Sequence, residues 1–420
     1  MATKMSEVAA AANQPLPSNL EIARHTPRRP IEEIAATLGL APEHVEPYGR
    51  DVAKIDLGAI GQLAQRPRGK YVVVSAITPT PLGEGKTTTA IGLAEAFHHV
   101  GRSATVALRQ PSMGPTLGIK GGAAGGGYSQ VIPMERINLH LTGDIHAVAA
   151  AHNLCAAMID NHLHQRGGVD LDPRRVTWKR SMDMNDRALR NMIIGLGQHG
   201  DGVPRQGAFE ITAASEVMAV LALADSLRDL RRRLGRMVVG YSRDGEPVTA
   251  EAIGAAGAMT VLLRDALKPN LLQTVENTPA IMHAGPFGNI AHGNSSIVAD
   301  RIALHGTDFL VTEAGFGADM GAERFFNIKC RASGLEPDAA VLVATVRGLK
   351  FHSGRYRVVP GRPLPEAMTA EGPEDVRAGA ANLEKQIDNI RAHGIAPVVA
   401  INAFPGDFPS EHEVMREIAE

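Results

Sequence analysis

Residues 71–95 read YVVVSAITPTPLGEGKTTTAIGLAE, and the order of residue types along this stretch decides the fold class. Its first part is a continuous apolar and β-branched run, the pattern of a strand buried on both faces. The run ends at Thr78-Pro79-Thr80-Pro81, where proline cannot donate to a sheet ladder. It passes into Gly83-Glu84-Gly85, where small residues permit a tight backbone. From Lys86-Thr87-Thr88 onward the apolar residues recur at helical spacing. Strand, glycine-containing loop and helix in that order predict a phosphate-binding loop, in which backbone N–H groups and a helix N-terminus cradle a polyphosphate. Lys86 then neutralises the β and γ phosphates, Thr87 holds Mg2+ through its hydroxyl, and Thr88 meets a further phosphate oxygen. The first glycine of the general G-x-x-x-x-G-K-T pattern is Thr80 here.

Further apolar runs lie outward from this stretch: ATVAL from Ala104, DFLVT from Asp308, AVLVATV from Ala340 and APVVAIN from Ala396. They alternate with helical segments such as TTTAIGLAEAFHHVG (87–101) and DVRAGAANLEKQIDNIRAHG (375–394). Alternating strands and helices predict an α/β fold of the P-loop NTPase type, with a mostly parallel sheet flanked by helices and smaller appended helical and α/β regions. An earlier helix is expected in RRPIEEIAATLGL, with Pro30 in its first turn and Gly39 near its end. The basic run RDLRRRLGR (228–236) reads as a solvated helix face. The expected organisation is a mobile tail at 1–20, a nucleotide-binding region at 21–143, a mostly helical insertion at 144–270, and the rest of the sheet at 271–420.

The composition bounds the partners. The 420 residues are 44% hydrophobic and 21% charged, with a formal net charge of −2, so there is no large field to attract nucleic acid or a membrane surface. No run of apolar residues is long enough to span a bilayer, and the N-terminal segment lacks the apolar core of a signal peptide. The two cysteines, Cys155 and Cys330, suggest neither a disulfide framework nor a zinc site, which fits a reducing, cytoplasmic setting.

In open α/β sheets ligands bind beyond the carboxyl ends of the strands, and polar residues stand at those ends here. After DFLVT comes Glu313, read either as a carboxylate reaching a metal ion or as a surface cap. After APVVAIN, Asn402 and Asp407 are placed to read a base edge with Phe404 stacked on it, or else form a Pro-Gly turn. The segment from Arg109 to Pro133 carries Arg109 and Lys120 among many glycines, as an anion-wrapping loop or a mobile connection would. Three polar stretches read as site loops: LTGD ending at Asp144, WKRSMDMNDRALR from Trp178, and HAGPFGNIAHGNSS from His283. In the last, Asn294 or a serine is expected to cap a helix.

Four separated segments, TPTPLGEGKTTTAIGLAEA, GGAAGGGYSQVIPMERINLHLTGD, MNDRALRNMIIGLG and GPFGNIAHGNSS, together resemble formate tetrahydrofolate ligase. TEAGFGADMGAE, VLVATVRGLK and VVAINAFP follow in the family's order, so the resemblance runs from about Leu20 to the last residue. It implies that ATP, formate and tetrahydrofolate give 10-formyltetrahydrofolate, ADP and phosphate through formyl phosphate. By resemblance, Thr80, Pro81, Leu82, Gly83, Glu84, Gly85, Lys86 and Thr87 bind ATP, Phe404 lies against adenine, Phe316 helps sandwich the pterin, and Asp144 lies near the folate. Lys86 and Arg109 are the expected catalytic cations, and a homo-oligomer, a tetramer by similarity, is implied. Three positions depart from the family: Gln110, Arg136 and Gln206 stand where acidic residues are usual. The first bears on an implied monovalent-cation contact, and each makes the local field more positive. By the resemblance, family members also continue beyond the last residue here, so the chain is expected to be either a truncated product or fragment, or one that works with a separate polypeptide completing the site. A nucleotide-binding but catalytically impaired subunit with an assembly role is the alternative reading.

Overall fold

The computed structural model describes residues 17–118, 124–165, 167–359 and 361–420. Most of the expected tail, and Lys120, lie outside these residues. Six parallel strands form the body of the sheet: β1 (Lys70–Ala76), β2 (Ala104–Leu108), β3 (Pro279–Met282), β4 (Phe309–Glu313), β5 (Ala339–Ala344) and β6 (Pro397–Ile401). Their spatial order is β3-β2-β4-β1-β5-β6. Beyond β3 the sheet continues antiparallel through Asn270–Thr274, Ala53–Ile55 and Val45–Pro47, with Gly125–Gly126 and Ser129–Ile132 attached, which makes eleven strands. Among the described residues no helix is long and apolar enough to cross a membrane.

The apolar runs pair as parallel strands because both of their faces are covered. Val72, Val74 and Ala76 of β1 turn to one face and pack with Ala90, Ile91 and Ala94 of α1 (Lys86–His99). Tyr71 and Val73 turn to the other, against Ala299, Ile302 and Ala303 of α2 (Ile297–Gly306). The two-residue period of a strand accounts for this division. A third apolar cluster runs from Ile145 to Leu267 and adds Ala284. It joins the helices Asp144–Gln165, Glu216–Leu223, Leu227–Gly235 and Ala256–Leu263, and two-stranded ribbons lie in the same stretch of chain.

Two helix expectations are corrected. Pro30 is the N-cap, not a first-turn residue; its ψ is 139°, and the helix begins at Ile31. The expected helix over 375–394 is split into Pro373–Ala378 and Ala380–Arg391 by Gly379, where a Cβ would come within 2.1 Å of the Leu349 carbonyl oxygen. That tertiary contact, which no local pattern signals, holds the break.

Several charges are buried in pairs. Lys54 Nζ lies 2.7 Å from Asp144, whose other oxygen accepts from Asn270 Nδ2 at 2.6 Å. Lys329 lies 2.6 Å from Asp300, and Asp300 also accepts from the Tyr71 hydroxyl. Lys350 pairs with Glu411 in the same way. Removing one partner leaves an uncompensated charge, so such pairs constrain the fold whatever their net contribution.

Glu95 on α1 is buried, and among the described residues it has no matching cation and one of its oxygens has no partner. Burial pushes its carboxyl up from 4.5 to about 7, outweighing hydrogen bonds from Thr274 and Ser129. The unfolded chain then releases this proton first, so the folded state is unpenalised below 4.5 and loses stability as pH rises to about 7. Glu95→Gln is therefore expected to raise the urea midpoint above about pH 7 and to leave it unchanged below 4.5. Equal midpoint shifts at both ends of that range would show that Glu95 is not the titrating group.

Candidate functional site

The site lies where β1, β2 and β4 end side by side. Register pairs Glu313 with Val74, and Thr312 with both Val73 and Ala107, so the segments after these three strands emerge at one edge of the sheet. A cavity of about 640 Å³ opens there. Its walls include Thr80, Gly83, Glu84, Gly85, Lys86, Thr87 and Thr88 from the loop after β1. Arg109 and Gln110 come from the end of β2, and Glu313 and Phe316 from the end of β4.

The loop after β1 is tied by its own polar atoms. Thr80 N–H donates to Glu84 Oε1 at 2.7 Å, Leu82 N–H to the Thr80 hydroxyl at 3.2 Å, and Gly83 N–H to the Thr80 carbonyl at 3.3 Å. Of these, only the Thr80 hydroxyl is an atom that a glycine at the loop's first position would lack. Gly85 has φ +81°, the left-handed region that favours glycine, and Lys86 begins α1 immediately after it. Pro81 is exposed, and Pro81 and Leu82 do not line the cavity.

The charged groups neutralise one another. Lys86 Nζ is 3.6 Å from Glu84, and Arg109 is 3.4 Å from Glu313. Glu313 Oε2 also accepts the Thr87 hydroxyl at 2.5 Å. Burial pulls the Lys86 ammonium below its ordinary value and neighbouring Arg109 adds to this, while Glu84 and Glu313 oppose it. Among the described residues, Arg109 Nε and both carboxamide atoms of Gln110 are buried without a partner. The cavity thus holds two cations, each facing a carboxylate, beside a helix N-terminus, a combination that suits an anionic ligand able to displace the carboxylates.

Phe316 sits at the cavity wall with φ +63° and is 38% exposed. A bulky side chain in that backbone region is strained, and strain of this kind gathers at ligand clamps. Two π-helical segments follow it, Ala318–Ala322 and Phe325–Cys330.

Other expected residues fall elsewhere. Asp144 does not line the cavity, because its carboxylate is engaged by Lys54 and Asn270 in the interior; a strand-proximal Lys54, 90 positions earlier, claims it. Asn402 and Phe404 are also outside the cavity wall. Asn402 Nδ2 donates to the Glu84 carbonyl at 3.1 Å and so braces the loop from behind. The Arg347 guanidinium lies 3.6 Å over the Phe404 ring and covers one of its faces. Arg136 donates to the Tyr48 carbonyl, and Gln206 to Asn191, away from the charged cluster. In the HAGPFGNIAHGNSS segment, His283 is buried between Ala266 O and the Ser296 hydroxyl, Ser296 caps α2, and Asn289 lines the cavity. Sequence reasoning missed the internal neutralisation by Glu84, the orphaned Gln110 amide and the Arg347 stack; only the proximity of Gln110 to Arg109 hinted at any of them.

The chain matches the model of the family described as formate--tetrahydrofolate ligase over residues 17–420. It is 70% identical to the formate--tetrahydrofolate ligase of Saccharopolyspora erythraea, over 96% of this chain and 72% of that protein. It is 66% identical to formate--tetrahydrofolate ligase 1 of Rubrobacter xylanophilus (96% and 70% covered), and 63% identical to the formate--tetrahydrofolate ligase of Cutibacterium acnes (96% and 72%).

A Cβ at Gly85 would lie 2.2 Å from Asn402 Nδ2, whereas at Gly83 it would meet nothing within 4 Å. Both carry positive φ, so both alanine variants bear a backbone cost of about 1 kcal/mol, but only Gly85→Ala also dislodges the Asn402 brace. Nucleotide affinity, titrated by calorimetry, is expected to fall at least about tenfold further in Gly85→Ala than in Gly83→Ala. Equal losses would mean that the brace does not shape the loop.

Proposed function

Because this chain belongs to the formate--tetrahydrofolate ligase family, we propose that it joins formate to tetrahydrofolate at the expense of ATP, with the cavity at the ends of β1, β2 and β4 as its active site. The observation that carries this reading is the convergence of Lys86, Thr87, Arg109 and Glu313 on one cavity beside the loop after β1.

The loop from Thr80 to Thr88 holds the polyphosphate, with N–H groups at the start of α1 directed at it. Formate is a weak nucleophile facing a highly charged electrophile, so the protein must align the two and offset charge at the transferring γ-phosphoryl group. Alignment is worth on the order of 7–11 kcal/mol. Lys86 and Arg109 provide the charge, and loss of one such group costs roughly 3 kcal/mol. A formate oxygen bonds to phosphorus as the bond to the ADP oxygen breaks, giving formyl phosphate. The tetrahydrofolate nitrogen then attacks the formyl carbon, the C–O bond to phosphate breaks, and phosphate leaves with the electron pair and takes up the proton that the nitrogen loses. Phe316 offers a face to the pterin, and Phe404 keeps one face free of Arg347 for the adenine.

Mg2+ fits the donor set: the Thr87 hydroxyl and Glu313 carboxylate already meet at 2.5 Å and present hard oxygen ligands. Bound there, it supplies charge neutralisation between the β and γ phosphates. A monovalent cation at Gln110 does not fit. The residue is neutral and follows Arg109, and the nearby carboxylates Glu84 and Glu313 face Lys86, Thr87 and Arg109. The proposal includes a cytoplasmic setting, supported by the free thiols Cys155 and Cys330, and assembly into a homo-oligomer, as in the implied family pattern.

ADP release from MgATP is expected only when formate and tetrahydrofolate are both present, and Lys86→Ala should lower it about a hundredfold. ATP binding without formate-stimulated turnover would instead support the assembly-only reading. Phe316→Ala is expected to raise the KM for tetrahydrofolate roughly fivefold, with the KM for ATP unchanged, from the loss of about 1 kcal/mol of stacking. An unchanged folate KM would remove Phe316 from the pterin site.

A further inference from the structure

Gln110 is 2% exposed, lines the cavity, and leaves both Nε2 and Oε1 without a hydrogen-bond partner among the described residues. Leaving either atom unpaired in the interior is costly, and the backbone does nothing to relieve it. The Gln110 N–H donates to the Ala284 carbonyl at 2.7 Å, and Gly285 packs so closely that a Cβ there would lie 2.4 Å from the Gln110 carbonyl oxygen. The main chain is pinned, and the amide faces the cavity with no partner among the described residues.

The chemistry of the two orphaned atoms selects that ligand. Polyphosphate oxygens are all acceptors, so a triphosphate would satisfy Nε2 and repel Oε1. A one-carbon unit with the attacking amine beside it meets both halves: a formate or formyl oxygen accepts from Nε2, and the amine N–H donates to Oε1. Gln110 also stands next to Arg109. On the proposed reading of the cavity as a formate ligase site, on which this inference rests, we propose that Gln110 directly holds the one-carbon unit and aligns the attacking amine, and that it does so without a monovalent cation. Nε2 donates to a formate oxygen, and later to the formyl oxygen as it gains negative charge. A carboxylate at this position would be an acceptor only and would need a cation beside it to hold an anion; the carboxamide carries its own donors and no charge.

The test is calorimetric titration of formate into the protein loaded with a non-hydrolysable ATP analogue and Mg2+, in potassium buffer and in tetramethylammonium buffer. The wild-type formate Kd is expected to agree within about twofold between the buffers, since no bound cation is involved. Gln110→Ala should weaken formate about tenfold or more while leaving the nucleotide Kd unchanged, the effect of removing a buried hydrogen bond to a charged group. Gln110→Glu should weaken formate in tetramethylammonium and recover part of the loss in potassium. Wild-type affinity that drops about tenfold on removing potassium overturns the proposal and needs no variant to be read. Formate binding unaffected in Gln110→Ala overturns it also, with the ligase reading intact. Wild-type protein that binds nucleotide but no formate in either buffer overturns the ligase reading itself, and this inference with it.

Discussion

The carboxylate of Glu313 stands between the Thr87 hydroxyl and the Arg109 guanidinium, and the site's geometry depends on that placement. It joins groups from three strand ends, which is possible only because β4 lies between β1 and β2 with Glu313 level with Val74. Together with Glu84 against Lys86, it leaves the cavity with two cations and two carboxylates in mutual contact. Unliganded, such a cluster holds its cations in place without leaving a bare buried charge, whose desolvation would be expensive. On the proposed reading, an incoming polyphosphate competes with the carboxylates for the same cations, and burial strengthens each new contact as water leaves.

The positive charge is also limited from behind. His292 is buried, and burial, with Lys329 and Arg109 nearby, pulls its imidazole down to about 3, so it stays neutral at physiological pH. A third cation beside Arg109 would compete for Glu313. Lys329 is in turn paired with Asp300, which also accepts from Tyr71 on β1. Strand β1 is thus held at its start by a buried polar network, and the loop at its end by Glu84, Thr80 and the Asn402 brace.

The sheet was legible because its strands are continuous apolar runs: the expected ATVAL is the observed β2 to the residue, and the starts of β1, β4, β5 and β6 differ by a single position. Lys86, Thr87, Arg109 and Glu313 were legible as candidates because each follows a strand. What stayed hidden depends on contacts remote in sequence. Asp144 is separated from Lys54 by 90 positions, and nothing local shows that an acid in a Thr-Gly-Asp turn is turned inward. The break at Gly379 is imposed by Leu349, and the cover on Phe404 by Arg347. The π-helical turns after Phe316 have the composition of an ordinary helix.

Those π-helical turns belong to the same constraint as the glycines around them. A Cβ at Gly321 would lie 1.6 Å from the Gly315 carbonyl oxygen, and one at Gly315 would come within 3.0 Å of Arg109 Nη1. A Cβ at Gly288 would approach the Phe316 ring to 2.9 Å. Small residues on three sides therefore let Phe316 keep its left-handed backbone and let Arg109 reach Glu313. Side chains there would clash with the backbone or push the phenyl ring or the guanidinium out of line. The backbone packs this closely so that an aromatic face and a cation stand at fixed positions around one cavity. On the proposed reading, that is the arrangement needed when a flat ring and an anion must meet in a single reaction.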